Sequence, residues 1–206
     1  MEQSRTFLQS RRIGFCSGVI LAIAYGIFAS SHFVGFQRTR EWVLLLFCFS
    51  EALTAVFIMF RSNPETVSVN PFDWIVGIGG TFAPLLLRPT PLGIAPLAKY
   101  AIIVGVLMQV AGLVSLNCSF AIVAAKREIK TKGMYRLVRH PLYASYLCIF
   151  TGYVLMNTSV TNIIVYTFTM ILLLIRCSKE EEHLVLDPSY LEYMQKVNYR
   201  IIPYVY

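Results

Sequence analysis

The stretch Gly133-Met134-Tyr135-Arg136-Leu137-Val138-Arg139-His140-Pro141-Leu142-Tyr143 opens an apolar hairpin, and that hairpin closes on Arg176-Cys177-Ser178-Lys179-Glu180-Glu181-Glu182. Between them lie two apolar segments, Pro141–Met156 and Val160–Ile175, joined by Asn157-Thr158-Ser159. So short a polar turn predicts antiparallel neighbouring helices, which puts the basic entry beside the acidic exit. A basic turn and a run of carboxylates at one end of a membrane hairpin point to a chemical site at a membrane face.

The remainder of the chain agrees with a membrane setting. Of 206 residues, 56% are hydrophobic and 14% charged, and the mean hydropathy is +0.61, far above an ordinary soluble domain. A spanning helix needs roughly 20 mostly apolar residues. Ile13–Val34, Trp42–Phe60, Phe72–Leu87 and Lys99–Phe120 join the two hairpin segments as candidates, the third, fifth and sixth being short. The expected fold is all-α: a polytopic integral membrane bundle of about six helices with a C-terminal hairpin and an interfacial C-terminal helix. It forms a single domain over 1–206, with N-terminal spans in 1–97 and a cofactor-binding region in 98–206.

Charge sets the expected orientation. The first apolar segment follows Arg5, Arg11 and Arg12 but is long and has no clear small-x-small cleavage site before Arg38, so it reads as a retained span. If all six segments cross, 14 Lys and Arg fall on the side of the termini and Arg38, Arg40, Arg88 and Lys99 on the other. The positive-inside rule then makes both termini cytoplasmic. The net charge of +7 reports this topology, and no aromatic-basic nucleic-acid module is present. The five cysteines, Cys16, Cys48, Cys118, Cys148 and Cys177, stand singly, without CxxC or histidine at ligand spacing. Neither a metal site nor a disulfide framework is expected.

Glycine and proline mark the helix ends at Asn63-Pro64, Asn70-Pro71 and Arg88-Pro89-Thr90-Pro91. Gly77, Gly79 and Gly80 lack the strand-then-helix context of a phosphate loop and read as close helix packing, as do Gly14 and Gly18. Asp187-Pro188 predicts an N-cap and first helical position. Tyr190, Tyr193, Met194 and Val197 then recur at helical spacing opposite Glu192, Gln195 and Lys196, as in a helix on the membrane surface or capping the bundle.

Pro141 has no N–H and a fixed φ, which suits the first turn of a helix and makes His140 its cap. Free amides there, with Arg139, Arg136 and Arg127 or Lys130, form a candidate anion site. Lys126, Lys132 and Arg136 read better as anchors for anionic headgroups. Glu180, Glu181 and Glu182 oppose such a surface and call for nearby cations or a cationic ligand. Arg176, four residues before Glu180, can pair with it. Consecutive helical residues diverge, so one or two of these glutamates can face the bundle while the third stays in water. An anion-binding helix start facing carboxylates suits a zwitterionic or cationic ligand with hydroxyls, and S-adenosyl-L-methionine fits that description.

The segment from Ser119-Phe120-Ala121-Ile122-Val123 to Tyr146 contains Arg127, Ile129-Lys130-Thr131, Gly133, Tyr135-Arg136 and Arg139-His140-Pro141-x-Tyr143. It is followed by Arg176-x-x-x-Glu180-Glu181-x-x-Leu184 and Tyr190-x-x-Tyr193. This pattern resembles the isoprenylcysteine carboxyl methyltransferase family, whose superfamily also holds phospholipid and thiol methyltransferases. The resemblance covers roughly the C-terminal 90 residues. Asp187-Pro188-Ser189 departs from it, since related chains carry a slightly longer stretch with a Phe-Gly pair before the first tyrosine. The resemblance implies a donor pocket open to cytosol and a lipid acceptor entering from the bilayer. It assigns Tyr135, Arg139, His140, Pro141, Tyr143, Glu180 and Glu181 to the cofactor, and Arg176 to the acceptor's anion or to orienting the glutamate.

Methyl transfer from a sulfonium is an in-line displacement, so alignment carries the rate. A carboxylate acceptor gains from a partly dry pocket in which opposite charges neutralise. An amine or thiol must first lose a proton, for which His140 or a glutamate is the candidate base. With Arg176, Glu180 and His140 as catalytic candidates, the expected activity is S-adenosylmethionine-dependent methylation of a lipophilic or lipidated acceptor, most like an isoprenylcysteine carboxylate. Phospholipid or thiol methylation is the alternative. A membrane reductase using NADPH, and a small transporter or scaffold, are the other readings. The last is weakened because the spans hold few polar residues beyond Glu51 and Gln109.

Overall fold

The computed structural model describes residues 11–59, 66–68, 70–91, 93–116, 125–126 and 129–205. The N-terminal Arg5, Arg61, Cys118, Arg127 and the Ser119–Val123 segment of the family pattern lie outside them.

Seven α-helices are present among the described residues: α1 (Arg11–Thr39), α2 (Val43–Met59), α3 (Pro71–Phe82), α4 (Lys99–Leu116), α5 (Pro141–Met156), α6 (Val160–Leu184) and α7 (Pro188–Lys196). A two-residue antiparallel pairing, Thr66–Val67 with Ala125–Lys126, is the sole extended pairing among the described residues. The segments Pro96–Leu116 and Val160–Leu184 are long and apolar enough to cross a membrane, whereas Val43–Phe57 and Pro141–Met156 are apolar but shorter. Only 33% and 28% of the two long windows are buried, unlike the core helices of a soluble protein. On α6 the exposed Ile163, Ile164, Phe168, Ile171 and Leu174 recur every three or four residues, an outward apolar stripe suited to lipid.

The third expected span is not one continuous helix. Residues 72–87 instead form all of α3 but its first residue, a 3₁₀ turn at Ala83–Leu86 and an extended Leu87. Pro84 explains the change, because it has no N–H to continue the ladder and its ring crowds the turn before it. The 12 residues of α3 rise about 18 Å, short of a hydrocarbon core of about 30 Å. Beyond the turn the chain is pinned to the α5–α6 hairpin. Asn162 Nδ2 donates to Arg88 O at 2.8 Å and its Oδ1 accepts from Arg88 N at 3.1 Å. Asn157 Oδ1 accepts from Thr90 N at 3.1 Å.

Small residues let the helices close up where polar glue is scarce. A Cβ on Gly105 of α4 would come within 2.6 Å of Ile149, and one on Gly152 of α5 within 2.8 Å of both Ala98 O and Ile102. Gly79 of α3 meets Leu172 of α6 in the same way at 2.9 Å, so this part of the glycine cluster serves packing. Aromatic rings fill the centre: Phe47 stacks on Tyr153 with centroids 4.3 Å apart, and Tyr153 Oη meets His32 Nε2 at 2.7 Å. Gln109 of α4 clips α2 by accepting from Ser50 Oγ at 2.7 Å and donating to Thr54 Oγ1 at 2.8 Å.

The α5–α6 hairpin turns as expected, with Asn157 ending α5 and Ser159 Oγ capping α6 by accepting from Asn162 N. Helix α6 does not end at Ile175. It continues through Leu184, so Arg176 and all three glutamates share one rigid helix.

Candidate functional site

Four elements meet at the polar end of the hairpin. The first is the 3₁₀ turn Gly133–Arg136, where Gly133 adopts φ +62° and leaves no room for a Cβ against Ser115. The hydroxyl of Ser115 accepts from Met134 N at 3.3 Å, which fixes the turn to the end of α4. Tyr135 is thereby buried, and Tyr193 Oη of α7 donates to its carbonyl at 2.7 Å. Burial pushes the Tyr135 phenol well above its ordinary range, with the charge of Glu180 adding to the effect.

The second and third elements are the start of α5 and the end of α6. Pro141 occupies the first turn and His140 the cap position, as the sequence predicts, although the imidazole makes no capping bond. Both His140 and Arg139 turn onto Glu181. Arg139 Nε donates to Glu181 Oε1 at 2.8 Å, and His140 Nε2 lies 3.0 Å from the same oxygen. Glu181 is 3% exposed, and such a carboxylate is tolerable only when its lone pairs are met by donors.

The fourth element, Val197–Ile201, is the part that sequence reasoning missed. It crosses the start of α5 as a strap. Arg139 N donates to Tyr199 O at 2.9 Å and His140 N to Arg200 O at 2.8 Å. Arg139 Nη1 donates to the carbonyls of Val197 and Asn198 at 3.0 and 2.8 Å. Arg200 completes the cluster, its Nε 2.7 Å and its Nη2 2.5 Å from Glu181 Oε2. The expected open pocket, with an anion-binding helix start on one wall and carboxylates on the other, is therefore corrected. The amides of Arg139 and His140 are taken by the strap, and the two walls are bonded to each other. The available signal was one arginine, Arg200, inside the otherwise uncharged run from Val197 to Tyr206.

A second charged group adjoins the first. Arg176 Nε donates to Glu180 Oε1 at 3.1 Å and Nη1 to Thr81 Oγ1 at 3.3 Å, while the guanidinium lies 5.8 Å from the centroid of the Tyr143 ring. Tyr143 in turn meets the His140 ring edge-on at 5.6 Å. Among the described residues Glu182 pairs only with Lys179, and its side chain is 63% exposed, against 17% for Glu180 and 4% for Glu181. The three glutamates thus diverge as their helical spacing requires. His140, Arg139 and Glu181 come together; Tyr143, Arg176 and Glu180 come together; Tyr135 lies under α7. Lys132 and Arg136 are exposed, as headgroup anchors would be. Among the described residues no group of three or more His, Cys, Asp or Glu is placed to hold a metal ion.

One hydroxyl in this region is left over. Tyr190 Oη is buried and has no hydrogen-bond partner among the described residues. Burial pushes its phenol up, and the charge of Glu181 adds to the effect; its ring lies 5.7 Å from that of Tyr193. A buried hydroxyl without a partner is a candidate for a hydrogen bond to a polar ligand.

Residues 95–187 match the phospholipid methyltransferase family. The chain is an enzyme of the membrane methyltransferase kind. The match covers α4, the Gly133 turn, α5 and α6 and stops at the cap of α7, so it contains Tyr135, Arg139, His140, Tyr143, Arg176, Glu180 and Glu181. Helices α1–α3 and the Arg200 strap of this methyltransferase lie outside it. The family matched is the phospholipid branch of the superfamily, whereas the motif resemblance named the isoprenylcysteine branch. No curated protein matches the chain.

Proposed function

We propose that this methyltransferase uses S-adenosyl-L-methionine to methylate a lipophilic acceptor drawn from the bilayer, a phospholipid-type molecule in the first instance. The observation that supports it most is a coincidence of place. The region matched to the phospholipid methyltransferase family contains the hairpin at whose polar end Arg139, His140 and Glu181 converge, with the Arg176–Glu180 pair beside them.

The residues present fit the donor. Its amino acid part needs a carboxylate for the ammonium and cations for the carboxylate; Glu181, Arg139 and Arg200 carry both signs in one cluster, and binding would exchange part of their mutual pairing for pairing with the donor. Tyr190 Oη offers an unused hydrogen bond to its hydroxyls. Bound S-adenosylmethionine supplies a methyl carbon on a sulfonium sulfur, and transfer forms a bond from the acceptor to that carbon while the carbon–sulfur electron pair stays on sulfur. The chain's own residues orient and exclude water. Tyr143 and Tyr135 form apolar, buried walls, and Arg176, fixed by Glu180 and Thr81, presents a guanidinium toward the bundle interior. That guanidinium is the feature favouring a second acceptor class, the isoprenylcysteine carboxylate.

The topology belongs to the same proposal. A multi-pass chain with both termini cytoplasmic opens the donor cluster to the cytosol, and its partners are the bilayer acceptor and lipids, with no nucleic acid. Purified protein should bind S-adenosylhomocysteine and release label from methyl-labelled donor into the lipid phase. Binding of NADPH in place of S-adenosylhomocysteine would overturn the proposal in favour of a reductase.

A further inference from the structure

The strap Val197–Ile201 lies outside the matched residues 95–187, yet it closes the ion cluster that they build. It belongs to no helix or strand. Its two ends are pinned by apolar burial: Val197 packs with Tyr135, Tyr190 and Tyr193, and Ile201 enters the main core of the bundle. Between them Asn198 is exposed and Tyr199 and Arg200 are half-buried. The Tyr199 ring packs on Tyr204 of the same C-terminal segment, with centroids 5.0 Å apart. The middle can therefore lift between two fixed ends without unfolding a helix, at the cost of a few hydrogen bonds.

Those bonds are divided in a way that suits a ligand carrying both charges. Glu181 Oε1 is met by Arg139 Nε at 2.8 Å and His140 Nε2 at 3.0 Å, both at the start of α5. Glu181 Oε2 accepts from Arg200 alone among the described residues, at 2.7 Å from Nε and 2.5 Å from Nη2. When the strap lifts, Oε2 is released as an acceptor for an ammonium, while Arg139 and His140 keep the carboxylate oriented. The same movement releases donors for a carboxylate. The Arg200 guanidinium leaves Glu181, Arg139 Nη1 leaves the carbonyls of Val197 and Asn198, and the amides of Arg139 and His140 leave Tyr199 O and Arg200 O. Closed, these groups are matched within the protein; open, they present both signs together. Arg200 is the member best suited to withdraw, because its side chain is 26% exposed, against 9% for Arg139 and 7% for His140, and water meets part of its charge.

We infer that the strap is a gate over the donor cluster: Arg200 latches it shut on Glu181, and the amino acid part of the methyl donor enters only when Arg200 lets go. This rests on the proposed binding of S-adenosylmethionine and deepens it by naming what controls entry. Binding then follows opening, so its rate is limited by the strap and not by diffusional encounter. A strap serving only as a fixed support has the opposite consequence: weakening it loosens the site and never speeds binding.

The test is stopped-flow binding of a fluorescent S-adenosylhomocysteine derivative to the full chain in detergent-lipid micelles, beside amide hydrogen exchange on the protein alone. In the wild type the observed rate should level off as ligand concentration rises, the plateau being the opening rate of the strap. Arg200→Gln should raise that plateau by about tenfold, as loss of a partly exposed charge-assisted contact implies. The same variant should deprotect the amides of Arg139 and His140 by at least that factor with no ligand present. Arg200→Lys, which keeps the charge but not the two-pronged contact, should fall between. A wild-type rate that climbs in proportion to concentration without levelling would overturn the gate and leave donor binding standing. So would an Arg200→Gln variant whose amides are deprotected while its plateau is unchanged or lower. Absence of any binding of the derivative and of S-adenosylhomocysteine itself in the wild type would instead remove the donor reading, and the gate with it.

Discussion

Replacing Glu181 with glutamine tests the architecture of the site at its tightest point. The carboxylate meets Arg139 Nε at 2.8 Å, His140 Nε2 at 3.0 Å and Arg200 Nη2 at 2.5 Å. Glutamine keeps the shape but removes the charge and turns one oxygen into a donor facing a cation. Each charge-assisted hydrogen bond contributes roughly 1.5–3 kcal/mol, and leaving a buried charge unpaired costs about 3–5 kcal/mol. Arg200 is 26% exposed at its side chain, so water recovers part of its share. The loss should therefore lie near the lower figure, about 3 kcal/mol, or roughly two powers of ten in the local opening equilibrium. Hydrogen exchange reads this directly, because the amides of Arg139 and His140 are bonded to the strap at Tyr199 O and Arg200 O. Glu181→Gln should deprotect those two amides by about that factor. Glu180→Gln should affect them much less, since its partner is Arg176, and Glu182→Gln should be nearly silent. Equal deprotection in all three variants, or deprotection only in Glu182→Gln, would refute the register assigned to the end of α6.

Other substitutions probe the supports around that cluster. Gly133→Ala should destabilise the fold by roughly 1–3 kcal/mol, by thermal or denaturant unfolding, because φ +62° and the Ser115 hydroxyl both exclude a Cβ. Tyr193→Phe should cost about 1 kcal/mol through loss of the bond to Tyr135 O and should weaken S-adenosylhomocysteine binding measured by calorimetry. Gly105→Val should overpack α4 against Ile149 and cost about 1–3 kcal/mol, whereas Gly26→Ala, with nothing near its Cβ position, should be tolerated. Reporters at Met1 and Tyr206 should both read cytoplasmic and a tag at 88–96 should read the other side; termini on opposite faces would contradict the proposed topology.

Much of the site is local in sequence, and that part was legible. Pro141 after His140 announces a helix start, Asn157-Thr158-Ser159 announces a hairpin, and one turn separates Arg176 from Glu180. These are short-range regularities of helix geometry, so His140 and one of Glu180 and Glu181 could be expected as neighbours from the sequence. The length of α6 was less legible. Hydropathy falls at Arg176 although the helix continues to Leu184, because charged residues with good helix propensity extend a span into water without a break in the backbone. Phe72–Leu87 erred the opposite way: its composition is apolar throughout, and Pro84 decides the backbone. Contacts distant in the chain left no local trace. Arg200 reaches Glu181 only because α7 folds back and returns the strap across α5. Glu51 could be seen as a polar residue in a span, but that it shares a cleft with Arg176 depends on how α2 packs on α4 and sets Phe47 on Tyr153 of α5, beside which the hairpin places α6.

The central claim is that the hairpin binds the methyl donor, and the most direct measurement is competitive binding on purified protein. Isothermal titration with S-adenosylhomocysteine and, separately, with NADPH should give saturable binding for the first and none for the second. Arg139→Gln and Glu181→Gln should each weaken the S-adenosylhomocysteine signal by about tenfold or more. Saturable NADPH binding with no S-adenosylhomocysteine binding, or an S-adenosylhomocysteine affinity indifferent to both substitutions, would contradict the account.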